Sequence, residues 1–300
     1  MDTSTLKNYV PLFVLPAFLV IVELGALALS LPVQTAGLAA FEDPDSMGNL
    51  VVFMAIILGF TAFLLVLIKY GHKNIIAWII AISIFLTFVY TFAAIVPMLL
   101  GPGYAQYAVI FALSVAAIVL LYKYPEWYVI DGLGILLAAG VASMFGVSLG
   151  TIPVILLLAV LAIYDAISVY KTKHMIALAE GIIDLKTPIL FVVPKKRDYS
   201  FIKEGIGKLD GGGERSAFII GMGDLIIPSV LVVSANVFTG GVKYFGLFNL
   251  PALGAIVGSI AGLAILLHFV MSGKPQAGLP PLNGGTILGF FIGWALIGFA

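Results

Sequence analysis

Asp165, in Leu161-Ala162-Ile163-Tyr164-Asp165-Ala166-Ile167, and Asp224, in Gly221-Met222-Gly223-Asp224-Leu225-Ile226-Ile227, stand inside long apolar runs. A carboxylate near the bilayer centre costs about 2.5–3.5 kcal/mol even on a lenient insertion scale, so an acid in such a run marks a site by default. Two carboxyls brought close together cannot both ionise easily and share one proton. Such a pair can activate water: the ionised member removes its proton while the protonated member hydrogen-bonds the electrophile. Buried acids also line proton and ion paths, so a carrier is the alternative.

What must position these acids is a membrane-embedded chain. Of its 300 residues 62% are hydrophobic and 10% charged, where a soluble domain carries about 25% charge. Zero formal net charge argues against nucleic acid, whose phosphates call for clustered basic residues. Lys195-Lys196-Arg197 reads as a juxtamembrane anchor. With no cysteine, disulfides, thiolate catalysis and thiolate metal sites are excluded. The first apolar run is longer than a signal-peptide core and reads as a retained helix.

A hydrocarbon core of about 30 Å takes roughly 20 apolar residues per helix, and nine such runs are present. They cover 10–33, 49–70, 75–100, 105–122, 128–148, 151–170, 217–237, 248–271 and 281–300. The expected fold is all-α and polytopic, with nine membrane helices and a cytoplasmic N-terminus. That orientation puts fourteen of the fifteen basic residues inside and leaves Lys243 alone outside, as the positive-inside rule requires. The acidic first loop, Glu42-Asp43-Pro44-Asp45, then faces outward. The chain divides into helices one to six over 1–170, a cytoplasmic connection over 171–216 and helices seven to nine over 217–300, all one membrane-embedded domain. Gly211-Gly212-Gly213 reads as a hinge. Ile189 to Val193, between Pro188 and Pro194, has the composition of a short strand, although a hydrophobic loop resting on the membrane is the preferred expectation.

On this layout Asp165 lies about five residues, roughly 8 Å, from the inner end of helix six, and Asp224 about seven residues, roughly 10 Å, into helix seven. Consecutive antiparallel helices would let the carboxyls face each other. Gly221 and Gly223 remove side chains ahead of Asp224 and allow close approach of a helix or a substrate backbone. Pro228 removes one helical hydrogen bond and introduces a kink.

Tyr164-Asp165 on one helix, Gly221-Met222-Gly223-Asp224 on the next, the loop between them and nine spans together resemble the presenilin and signal-peptide-peptidase family of intramembrane aspartyl proteases. The likeness covers essentially the whole chain, and the compact cysteine-free sequence is most similar to an archaeal presenilin homologue. The resemblance implies an aspartic endopeptidase with Asp165 and Asp224 as catalytic pair, no cofactor and no metal. It further implies transmembrane-helix substrates or signal-peptide remnants and a multi-pass protein of the cell membrane; a homo-oligomer is left open. The family carries a Pro-Ala-Leu motif beside its aspartates. The literal Pro251-Ala252-Leu253 falls at the outer end of helix eight and reads as a decoy. Pro280-Pro281-Leu282, at the inner start of helix nine, is the better counterpart, with proline in place of alanine and carbonyls expected to be exposed near the site.

Glu23, midway along helix one, reads as an interhelical hydrogen bond or a proton relay. Asp131, four residues into helix five, reads as structural, eased by snorkelling and the helix dipole. His268 has no second histidine for a zinc-protease motif, and no serine-protease element accompanies it. Trp78, Trp127 and Trp294 fit an interfacial belt.

Overall fold

The computed structural model describes residues 3–101, 103–172, 190–196, 198–204, 217–270 and 276–297. Among the described residues nine long apolar helices are seen: α1 (Thr3–Thr35), α2 (Met47–Lys69), α3 (Lys73–Leu100), α4 (Tyr104–Lys123), α5 (Trp127–Ser148), α6 (Thr151–Ile167), α7 (Met222–Phe238), α8 (Leu250–Val270) and α9 (Leu279–Leu296). Hydrocarbon offers backbone groups no water, so each span must satisfy its own N–H and C=O groups, and the helix does so. Eight are long and apolar enough to cross a bilayer, and α7, at 17 residues, is shorter.

The shortness of α7 corrects the expected helix over 217–237. Ala217–Gly221 forms a strand, β2, paired antiparallel with β1 (Leu190–Pro194) in a register that sets Val192 opposite Ile219. The apolar run is continuous across strand and helix, so periodicity alone could not divide it. The preferred reading of 189–193 as a membrane-surface loop is also overturned from Leu190 onward. Phe191, Val192 and Val193 are buried, and burial of an extended apolar segment demands strand pairing for its amides. Ile189 and the Gly211-Gly212-Gly213 hinge lie outside the described residues.

The helices pack around α7, every residue of which from Pro228 to Asn236 is buried. It is flanked by α1, α5, α6, α8 and α9. Lipid tails are as apolar as leucine, so association in a membrane depends on close packing, and small residues provide it. The α8–α9 contact is the clearest case. A Cβ at Gly258 would stand 2.1 Å from the Gly285 carbonyl oxygen, and one at Gly289 would stand 2.1 Å from that of Gly254. Gly262, Gly285 and Gly293 are equally tight against facing backbone, at 2.3 Å.

Candidate active site

Asp165 sits three residues before the helical hydrogen bonding of α6 changes to a π turn over Ser168–Thr172. It is 6% exposed. Its Oδ2 accepts the Leu279 N–H at 3.0 Å, and the Gly278 amide donates to it as well. Asp224 is in the first turn of α7, half-buried. Its carboxylate faces Gly278 so closely that a Cβ there would lie 3.0 Å from Oδ1 and 3.1 Å from Oδ2. The Gly221 amide donates to Asp224, and the charge of Asp165 is felt there. Both carboxyls therefore converge on one turn, Gly278-Leu279, where α9 begins.

Asp224 was expected about seven residues into its helix, but the strand takes that length, and it lies in the first turn instead. Both acids nevertheless lie against the same Gly278-Leu279 turn, because α7 begins at the same end of the bundle as the foot of α6. That end also holds the start of α9. The Pro280-Pro281 pair occupies the first turn of α9, where a missing N–H is no loss and a fixed φ favours the helix. The expectation of exposed proline carbonyls is corrected in part. The Pro281 carbonyl packs on Gly262, whose Cβ would come within 2.3 Å of it. What this helix start presents to the acids is donors, the Gly278 and Leu279 amides. Leu282 is fully buried in a cluster with Val193, Ile220, Leu225 and Leu263, so it ties the strand pair to α8 and α9.

Tyr164 is half-buried, and its carbonyl accepts the Ser168 hydroxyl. Gly221 would bring a Cβ to 3.4 Å from Asp224 Oδ2, and Gly223 is exposed with open space where a Cβ would be. The literal Pro251-Ala252-Leu253 is at the far end of α8, with Pro251 buried against Gly293 near the end of α9. It is remote from the carboxyls, as its reading as a decoy requires.

Five residues around the site escaped the sequence reading. Gly278 and Leu279 precede the prolines and carry a recognisable helix-start signal. Tyr170 and Gln276 carry none. The Tyr170 hydroxyl donates to Gln276 Oε1 at 2.8 Å and accepts the Ala277 N–H at 3.3 Å, which ties the end of α6 to the approach to α9. One turn after Leu279, Asn283 Nδ2 donates to the Leu158 carbonyl at 2.9 Å and joins α9 to α6 again.

Strand alternation fixes how β2 is presented. The Val192 N–H turns away from β2, to Asp131 Oδ1 at 2.8 Å, so Val192 and Ile219 form a non-hydrogen-bonded pair. The backbone groups of Ile219 and Gly221 then face the other edge of β2, the side on which the Gly221 amide meets Asp224. Among the described residues that edge has no strand partner.

Glu23 and His268 stand apart. Glu23 is fully buried and accepts the Ser259 hydroxyl at 2.6 Å, an interhelical bond from α1 to α8. His268 is exposed on α8 beside Phe269. Among the described residues no three His, Asp or Glu side chains form a metal-ligand group.

Comparisons with known proteins identify a family for the chain. The family model for signal-peptide peptidase and presenilin aspartyl protease matches residues 16–299. A solved structure of a presenilin family intramembrane aspartate protease, in space group C222, is 46% identical, covers 96% of this chain and 100% of its own, and superposes with a TM-score of 0.72. A second, in space group P2, is 46% identical with coverage of 96% and 99% and a TM-score of 0.70. No curated protein matches. None of these matches supports transport.

Proposed function

The chain belongs to the signal-peptide-peptidase and presenilin family and is an intramembrane aspartate protease, and from that premise we propose that Asp165 and Asp224 are its catalytic pair. One observation carries the assignment: the carboxyls lie on consecutive membrane helices yet converge on the same Gly278-Leu279 turn. In the proposed reaction one carboxylate removes a proton from water as its oxygen attacks the peptide carbonyl, while the protonated partner hydrogen-bonds the carbonyl oxygen. Collapse of the tetrahedral adduct breaks the C–N bond, and the leaving nitrogen takes the proton. No cofactor or metal enters these steps.

The substrate proposed is a transmembrane helix or a signal-peptide remnant. A scissile bond inside a helix is shielded by its own hydrogen bonds, so the substrate must unwind, and an unwound backbone needs new partners. The open edge of β2 supplies them by strand addition, beside Asp224. The far edge of β1 is taken by Asp131, which leaves β2 as the receiving strand. Gly223, with nothing over it, leaves room for the incoming chain. The excess of basic residues at this end supports a cytoplasmic N-terminus and a site near the inner face of the cell membrane.

The test is cleavage of a single-span peptide by the purified protein in detergent. Asp165→Asn and Asp224→Asn should each remove product formation. Turnover surviving in either variant would sink the two-carboxyl assignment.

A further inference from the structure

Asp131 and Gly134 take no part in that chemistry, yet they lie three residues apart on α5 and so share a face. Against this face lie β1 and the first residue of α7. Asp131 is 3% exposed and accepts the Val192 N–H through Oδ1 at 2.8 Å. The bond answers a need that the strand pair creates. The Val192 N–H points away from β2, is buried and requires an acceptor from elsewhere. Gly134 provides the room. A Cβ there would stand 2.7 Å from Met222 Cε and 3.2 Å from Phe191 Cε1, so both side chains rest directly on the α5 backbone.

A second carboxylate just before α5 grips the same segment further along. Glu126 accepts the Ser200 hydroxyl at 2.7 Å and the Phe201 N–H at 3.0 Å. Tyr199 lies between the two grips, where burial, then the nearby Glu204, Glu126 and Asp131, push its phenol up to about 12. It stays neutral at physiological pH.

We propose that Asp131, with Gly134 beside it, positions Asp224 for catalysis. α5 fixes β1 through the Val192 amide, β1 fixes β2 by pairing, and β2 runs without interruption into the turn that carries Asp224. Met222, two residues before Asp224, is seated on the same face of α5. Asp131 touches neither the substrate nor the reacting atoms, so it is a positioning residue. The inference rests on the reading of Asp224 as catalytic. It asks of Asp131 an acceptor oxygen at a set place and not a charge, so asparagine can do the same work.

The experiment pairs steady-state cleavage of a single-span peptide with amide hydrogen exchange across Leu190–Pro194. Asp131→Leu should lower kcat by about tenfold or more while KM stays within about twofold, and should speed exchange of the strand by a similar factor. Asp131→Asn should restore both to within about threefold of the parent. Val192→Pro removes the donor at a position where strand pairing does not use it. It should match Asp131→Leu, and the two together should add no further loss. A folded Asp131→Leu with unchanged kcat and exchange would overturn the proposal, as would an asparagine variant as damaged as the leucine one. Should Asp131→Leu not fold, Val192→Pro decides alone, and an unchanged kcat there overturns it. Cleavage by Asp224→Asn would instead remove the premise, whereas faster exchange in Asp131→Leu would still report the dock.

Discussion

Asp165 is carried within a continuous membrane helix, whereas Asp224 stands three residues beyond the end of a strand. The wall that holds Asp165 is backbone against backbone. Its partner amide opens α9, and α9 is locked to α8 by glycines that leave no space for a methyl group. The wall behind Asp224 is assembled from β1, β2 and the face of α5, with amide-to-carboxylate bonds at its joints. One wall is a fixed reference, and the other is built from parts that an added strand can engage. On the proposed function, a site that admits an unwound segment and holds two carboxyls in register would use both kinds of support.

Variants at the two acids break the comparison most severely. Each asparagine substitution removes one half of the acid–base exchange and should lower the cleavage rate by about 10²–10⁴-fold or more, read by product formation. Loss at only one of them would mean that the walls do not serve a common reaction. Gly278→Val comes next. Its Cβ would meet both Asp224 oxygens at 3.0–3.1 Å, and a displacement of about 1 Å lowers kcat by about a hundredfold, with thermal stability little changed.

Ile219→Pro sharpens the role of the open edge. It removes an N–H from the side of β2 that faces away from β1, so it should reduce cleavage of a helical substrate about tenfold while sparing a short soluble peptide. Equal loss with both substrates would argue against strand addition. Gly258→Ala probes the rigid wall: overpacking against the Gly285 carbonyl should destabilise the protein by about 1–3 kcal/mol, seen as a lower Tm. The smallest effect is expected from Glu23→Gln, which keeps the acceptor for Ser259 and should shift stability by less than about 1 kcal/mol with cleavage unchanged. A profile of kcat/KM against pH should be bell-shaped, because the pair must hold one proton between two carboxyls.

Much of this was legible in the residues. Nine apolar runs locate the helices to within a few positions, except at the start of α1, which begins seven residues earlier than expected, and where a run spans strand and helix alike. Asp165 and Asp224 stand out because a charge in hydrocarbon needs a reason. The Pro280-Pro281 pair marks the inner start of α9 through its stereochemistry. Ala217 to Gly221 was misread for a physical cause: five apolar residues fit a strand or a helical turn, and only the presence of a pairing partner decides. Asp131 looked like an acid near a helix end, eased by water and dipole. Its bond to Val192 comes from a residue 61 positions away, a relation that no local pattern carries.

What the sequence determined by itself is the solvent and the chemistry. Sixty-two per cent hydrophobic residues commit the chain to the bilayer, and two acids set within its apolar runs mark the carboxyls proposed as a pair. The tertiary structure decided where the two carboxyls converge, on the Gly278-Leu279 turn. It also decided that one carboxyl is fixed by a helix start and the other by a strand docked on α5. Composition and spacing act along the chain, whereas backbone amides become donors to a distant carboxylate only after packing brings three helix ends and a strand pair together.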